Sequence, residues 1–98
     1  MVVVAKLKAI KGSEVQLEKA LLAVVPKVSE EDGTLVYTLH RDLSDPAVFM
    51  FYEKYKDAEA LTVHSSTSYF KELFKMVSPL LDSDPEISMY NELAGIDG

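Results

Sequence analysis

Residues 47 to 55, AVFMFYEKY, constrain the architecture more than any other stretch. The run is rich in aromatic residues and reads as a strand, whose side chains alternate between two faces. Phe49, Phe51, Glu53 and Tyr55 share one face, and Val48, Met50 and Tyr52 share the other. Both faces are therefore largely apolar, and both need cover. Helices packed on one side leave the second wet, with a large exposed apolar patch. The simplest solution is a second sheet packed face to face, which makes a homodimer.

The rest of the chain supplies the helices and the remaining strands. Val2 to Ile10 alternates as a first strand, with Val3, Ala5, Leu7 and Ala9 on one face. Lys11-Gly12 turns the chain, and Ser13 with Gln16 three residues on reads as a capping box. Leu17, Leu21, Val24 and Val28 then recur at helical spacing, with Pro26 expected to bend the helix before Asp32-Gly33 ends it. Thr34 to Arg41 is a second strand, and Asp42 to Pro46 is a turn leading into the third at 47 to 55. Asp57 caps a short helix, and the Ser65-Ser66-Thr67-Ser68 run breaks it. A further helix carries Phe70, Leu73, Phe74 and Val77 on one face and stops at Pro79. Glu86 to Leu93 is the last strand.

The order is β-α-β-β-α-β with the second helix broken, the α+β ferredoxin-like split βαβ pattern. Right-handed crossovers place the helices on one face of a four-stranded antiparallel sheet. A single domain over residues 1 to 98 is expected, with its core at about 2 to 93 and a loose C-terminal tail.

Composition excludes several function classes. The net charge is −6, and Lys6, Lys8 and Lys11 are too few for a nucleic-acid footprint. An acidic chain does not seek anionic membranes, and no apolar run approaches the length of a membrane span. With no cysteine there is no disulfide, thiolate metal site or cysteine nucleophile, and two histidines leave little for a metal. The N-terminal VVVA is too short for a signal core, so a cytoplasmic location is expected. No glycine-rich phosphate loop, nucleophile elbow, HExxH or paired carboxylate motif is present. Hydrolysis, phosphoryl transfer and dinucleotide redox are disfavoured.

Few residues remain that carry chemistry. His64 follows Leu61 by three and Ala60 by four, so it shares their apolar helix face. That position suits either a half-buried histidine hydrogen-bonded to a neighbour, or a base at the rim of a pocket between sheet and helices. Glu53 is the odd member of its strand face, and spacing alone makes it a solvated carboxylate at a strand end. His40, beside Arg41 and Asp42, reads as a surface residue. Tyr37, Tyr52 and Tyr90 read as core or interface residues, whereas Tyr69 opens the helix directly after the His64 loop.

Three stretches, AKLKAIKGSE, EEDGTLVYTLHRDLSDP and FYEKYKDAEALTVHSSTSYF, resemble the antibiotic biosynthesis monooxygenase domain family, of dimeric α+β barrel fold. The resemblance covers about residues 2 to 93. It implies a cofactor-independent monooxygenase, with neither metal nor flavin, that oxidises a small phenolic or quinol compound. In that reading His64 shifts a proton, Glu53 orients or charge-balances it, and Tyr55 and Tyr69 hydrogen-bond a substrate oxygen. Phe51, Phe70 and Phe74 form the apolar wall.

This chain departs from the pattern at Tyr55, where many relatives have tryptophan, at Ser68, where they have proline, and at Tyr69, where they have a second histidine. The haem-degrading branch needs Asn, Trp and His where this chain has Ala5, Tyr55 and Phe74, so haem degradation is rejected. A branch of autoinducer-phosphate isomerases reads Tyr-Glu-x-Tyr-Lys-Asp, matched here by Tyr52-Glu53-Lys54-Tyr55-Lys56-Asp57. It implies, as the alternative, a small-carbonyl isomerase or tautomerase in which His64 moves a proton beside a carbonyl. A non-catalytic dimeric binder of a small ligand is the third reading.

Overall fold

The computed structural model describes residues 1 to 96. The elements are β1 (Val2–Lys8), α1 (Glu14–Val28), β2 (Thr34–Arg41), β3 (Val48–Tyr55), α2 (Ala58–Ser65), α3 (Ser68–Val77), a 3-10 turn (Ser78–Leu80) and β4 (Glu86–Tyr90). The sheet runs β2-β3-β1-β4, with every neighbouring pair antiparallel. This is the α+β ferredoxin-like fold read from the element order.

The core lies between one sheet face and the helices. Ala5 and Leu7 of β1 and Phe49 and Phe51 of β3 meet Leu17, Leu21, Val24 and Val28 of α1 and Val77 of α3. Leu17 and Leu21 are fully buried, and the three- and four-residue steps to Val24 and Val28 keep the stripe on one face. Each such side chain contributes about 1.5 to 3 kcal/mol through burial. On the opposite sheet face Val4, Val48, Met50 and Tyr52 are half-buried in the chain alone.

Local chemistry sets the helix ends. Asp57 caps α2, its Oδ1 accepting from Ala60 N–H at 2.9 Å. Thr67 caps α3 by accepting from Phe70 N–H at 3.3 Å, so the serine-rich break is a change from one helix to the next. The expected capping box at Ser13 does not form. Ser13 stands at φ −104°, ψ 8°, outside the extended region that aims a capping hydroxyl, and makes no side-chain cap bond. The Glu14 carboxylate instead accepts from the N–H of Gly12 at 2.8 Å, where Gly12 holds φ +96°.

Three boundaries differ from expectation by two residues or more. β1 stops at Lys8, and Ala9 makes only an isolated bridge to Leu81. α1 ends at Val28, two residues past Pro26, so residues 29 to 33 form a loop rather than a last helical turn. β4 ends at Tyr90 rather than Leu93, because Tyr90 already pairs with Val2, the first residue of β1. Residues 94 to 96 of the expected loose tail have no helix or strand, and residues 97 and 98 lie outside the described part.

The loop from 29 to 33 is tied down at both ends. Glu31 N–H donates to the Val28 carbonyl at 2.9 Å, and Lys56 N–H donates to the Gly33 carbonyl at 2.8 Å. Gly33 packs directly on α2: a Cβ there would lie 2.4 Å from the Cβ of Ala60. Only glycine permits that approach, and it brings the Glu31 side chain over the helix that carries His64.

Candidate functional site

A cavity of about 260 Å³ lies between the inner sheet face and helices α2 and α3. Its wall is mostly apolar: Val3, Ala5 and Phe51 from the sheet, Leu61 from α2, and Phe70 and Phe74 from α3. Three side chains with polar tips also line it, namely Tyr37, Glu53 and His64. The register explains two of them. Glu53 on β3 stands opposite Val3 on one side and Tyr37 on the other, so both polar residues share the inner face with Phe51.

His64 is 1% exposed. Its ring lies among Phe70, Tyr37 and Tyr55, with centroids 5.0, 5.3 and 5.7 Å away. Its Nδ1 is 3.0 Å from both carboxylate oxygens of Glu31. Glu31 accepts two further bonds, from the Thr34 hydroxyl at 2.9 Å and from the Tyr69 hydroxyl. Burial, and then the bond to Glu31, push the Tyr69 phenol up to about 12, so it remains a donor at neutral pH.

Glu53 occupies different surroundings. It is 6% exposed, and Tyr55 donates to its Oε1 at 2.5 Å. Burial raises its pKa; the Tyr55 bond and then the nearby His64 pull it partly back, and Glu31 pushes it up. Burial is also the first cause that holds the phenols of Tyr55 and Tyr37 above their ordinary range, followed by the bond to Glu53 for Tyr55 and the charge of Glu53 for Tyr37. All three phenols therefore keep their protons at neutral pH.

The structure thus corrects parts of the sequence reading. Glu53 is buried rather than solvated, because β3 is an inner strand and its inward face continues past Phe51. Glu53 and His64 do line one cavity, yet the hydrogen-bond partner of His64 is Glu31, and Glu53 accepts from Tyr55. The Tyr55 and Tyr69 hydroxyls, expected on a substrate oxygen, are spent on those two carboxylates, and neither residue lines the cavity. Phe51, Phe70 and Phe74 line the cavity. His40 is exposed, its Nε2 paired with the Thr38 hydroxyl at 2.8 Å.

Sequence reasoning missed Glu31 and the placement of Tyr37. Glu31 lies 33 residues from His64, beyond any local spacing rule. The one available signal was an acid in the turn directly before a strand, and that pattern is common in plain loops. Tyr37 was readable as an inward residue of β2, but nothing in the sequence placed it over the histidine. Among the described residues no group of three or more His, Asp or Glu side chains is placed to hold a metal ion, and no helix is long and apolar enough to cross a membrane.

The sequence model described as antibiotic biosynthesis monooxygenase matches residues 1 to 76. The chain belongs to this family. An uncharacterised Synechocystis protein is 32% identical over 60 residues, which is 61% of this chain and 41% of that protein. The chain therefore spans well under half of that relative. Among solved structures, a Pseudomonas aeruginosa protein superposes with a TM-score of 0.89 at 31% identity, covering 95% of this chain and 93% of that one. A Caulobacter crescentus protein that carries the family's name gives 0.84 at 34% identity, over 89% and 83% of the two chains. A Nitrosomonas europaea structure gives 0.91 at 17% identity over 95% and 98%, a likeness of fold alone.

Proposed function

We propose that this family member is a cofactor-independent monooxygenase acting on a small phenolic or quinol-type compound held in the cavity. One observation supports this above all: a single buried imidazole, anchored by a carboxylate, on the wall of a mostly apolar cavity. Such a site binds a compact aromatic ring by burial and offers it one proton acceptor. His64 takes the substrate hydroxyl proton. The electron-rich ring carbon of the resulting phenolate supplies electrons to dioxygen, and a C–O bond forms. O–O cleavage with loss of the carbon's hydrogen leaves a quinone and one molecule of water. Apolar walls favour this sequence because they exclude water and spread the ring's charge over no competing donor.

Oxygen uptake by the metal-free protein with a panel of hydroquinones tests the reading. Uptake is expected with at least one compact member, and His64→Ala should lower it by about 10²- to 10⁴-fold, the usual worth of a positioned proton acceptor. Uptake unchanged in His64→Ala, or none across the panel, removes the oxygenase.

A second reading is favoured by the Tyr52 to Asp57 segment together with the raised Glu53 carboxyl. A base at His64 and a carboxyl at Glu53 that burial pushes toward its neutral form, on one cavity, suit enolisation of a small carbonyl compound. Deuterium exchange into ketones without oxygen consumption is its signature.

The same proposal includes a homodimer through the outer sheet face. Val4, Val48, Met50 and Tyr52 form a half-buried apolar strip there, and a 98-residue chain gains from further burial. Sedimentation equilibrium should give twice the chain mass, and Met50→Glu should return it to one.

A further inference from the structure

We propose that Glu31 is a positioning residue that fixes the tautomer of His64, placing the proton on Nδ1 and leaving Nε2 as the bare nitrogen that meets the cavity. The inference rests on the reading of His64 as the proton-transfer group and adds which atom of it reacts. It begins with hydrogen-bond sense. A carboxylate only accepts, so the ring nitrogen 3.0 Å from both of its oxygens must donate. A neutral imidazole carries one N–H, so the other nitrogen is then an acceptor.

The surroundings hold Glu31 in this role. Thr34 donates to Oε1 and Tyr69 to Oε2, so the carboxylate is gripped from the strand and from α3 while it faces α2. Its side chain is 7% exposed and that of His64 is 2% exposed, so water does not compete for the bond. Among the described residues no side chain or backbone group pairs with His64 Nε2. The flanking groups Tyr37, Tyr55 and Phe70 present rings to the imidazole, and Glu53 accepts its one bond from Tyr55. His64 lines the cavity, Glu31 occupies its Nδ1, and the in-plane direction of Nε2 diverges from that of Nδ1, so Nε2 is the nitrogen left for a ligand. When Nε2 takes a proton, the imidazolium is already beside its counter-charge. Glu31 touches no substrate; it acts through the ring.

Two-bond ¹H–¹⁵N correlation spectra of protein labelled with ¹⁵N-histidine read the tautomer directly. The exposed second histidine is assigned by His40→Gln. With the ring neutral, wild-type His64 is expected to show a pyrrole-type Nδ1 and a pyridine-type Nε2. In Glu31→Ala, with the acceptor gone, the pattern is expected to invert toward the Nε2–H form that histidine prefers when free. A wild-type ring already in the Nε2–H form overturns the proposal, and so does a Glu31→Ala ring that keeps Nδ1–H. The wild-type spectrum decides the matter even where the variant fails to fold. Altered stability alone does not move this signature. Oxygen uptake plays no part in it, so failure of the oxygenase reading and failure of this one are told apart.

Discussion

Two buried carboxyl groups flank the same histidine, and the chain treats them in opposite ways. Glu31, on the loop between α1 and β2, receives three donors: an imidazole N–H, a threonine hydroxyl and a tyrosine hydroxyl. Glu53, on the inner face of β3, receives one, from Tyr55, and otherwise shares a mostly apolar cavity with His64 and Tyr37, with the charge of Glu31 acting against its own. Little of either carboxyl reaches water, so burial alone does not separate them. Donor supply does. A buried anion is tolerable where hydrogen bonds replace water, and costly where they do not. Glu31 is thus equipped as the fixed negative partner of an imidazole, whereas Glu53 is pushed toward its protonated form. Two carboxyl groups of one type acquire two chemical uses from their surroundings.

The contrast can be broken most directly by removing each group. Glu31→Ala leaves the His64 N–H, the Thr34 hydroxyl and the Tyr69 hydroxyl without their acceptor, and at least the first is fully buried. A loss of about 3 kcal/mol of unfolding free energy is expected. Glu53→Ala orphans only the Tyr55 hydroxyl and removes a poorly solvated carboxyl, so about 1 kcal/mol is expected. Urea denaturation of the two variants at neutral pH measures both. Equal losses would show that donor count does not distinguish the sites.

The fold was legible because its signals are local and repetitive. Alternation in β3, the Leu17-Leu21-Val24-Val28 stripe and the Asp57 cap each lie within a few residues. Together they point to one topology, a four-stranded sheet with its helices on one face. The faces of the wall residues were legible for the same reason, Phe51 from strand period and Phe70 and Phe74 from helical period, whereas their use as a wall was implied by the resemblance. The site's wiring was not legible. His64 and Glu31 meet only because Gly33 lets the loop close on Ala60, a contact between segments with no shared spacing. Glu53 was the natural partner to choose from one stretch, since it lies eleven residues before His64 in the chain. Proximity in sequence favoured the wrong carboxylate for the hydrogen bond, although it placed the right one on the cavity.

The finer distinction lies in pH dependence, and Glu53→Gln isolates it. Burial raises the Glu53 pKa in the folded chain above its ordinary value. For an acid whose folded pKa is raised, the unfolded chain loses its proton first as pH climbs. The associated stability is fully present below the ordinary glutamate pKa and is lost as pH rises through the folded one. Wild-type stability should therefore fall across that window, and Glu53→Gln should lack that part of the fall. The amide oxygen still accepts from Tyr55, so the geometry is kept while the proton equilibrium is deleted. The effect is the smallest of these, because the Tyr55 bond and His64 already offset part of the burial. Urea midpoints for both proteins, taken in steps between about pH 4 and pH 8, give the difference curve. A variant that gains on the wild type as pH rises confirms that Glu53 is held toward its neutral form. Parallel curves would mean that Glu53 is as well served as Glu31, and that the two carboxyl groups do not divide the chemistry between them.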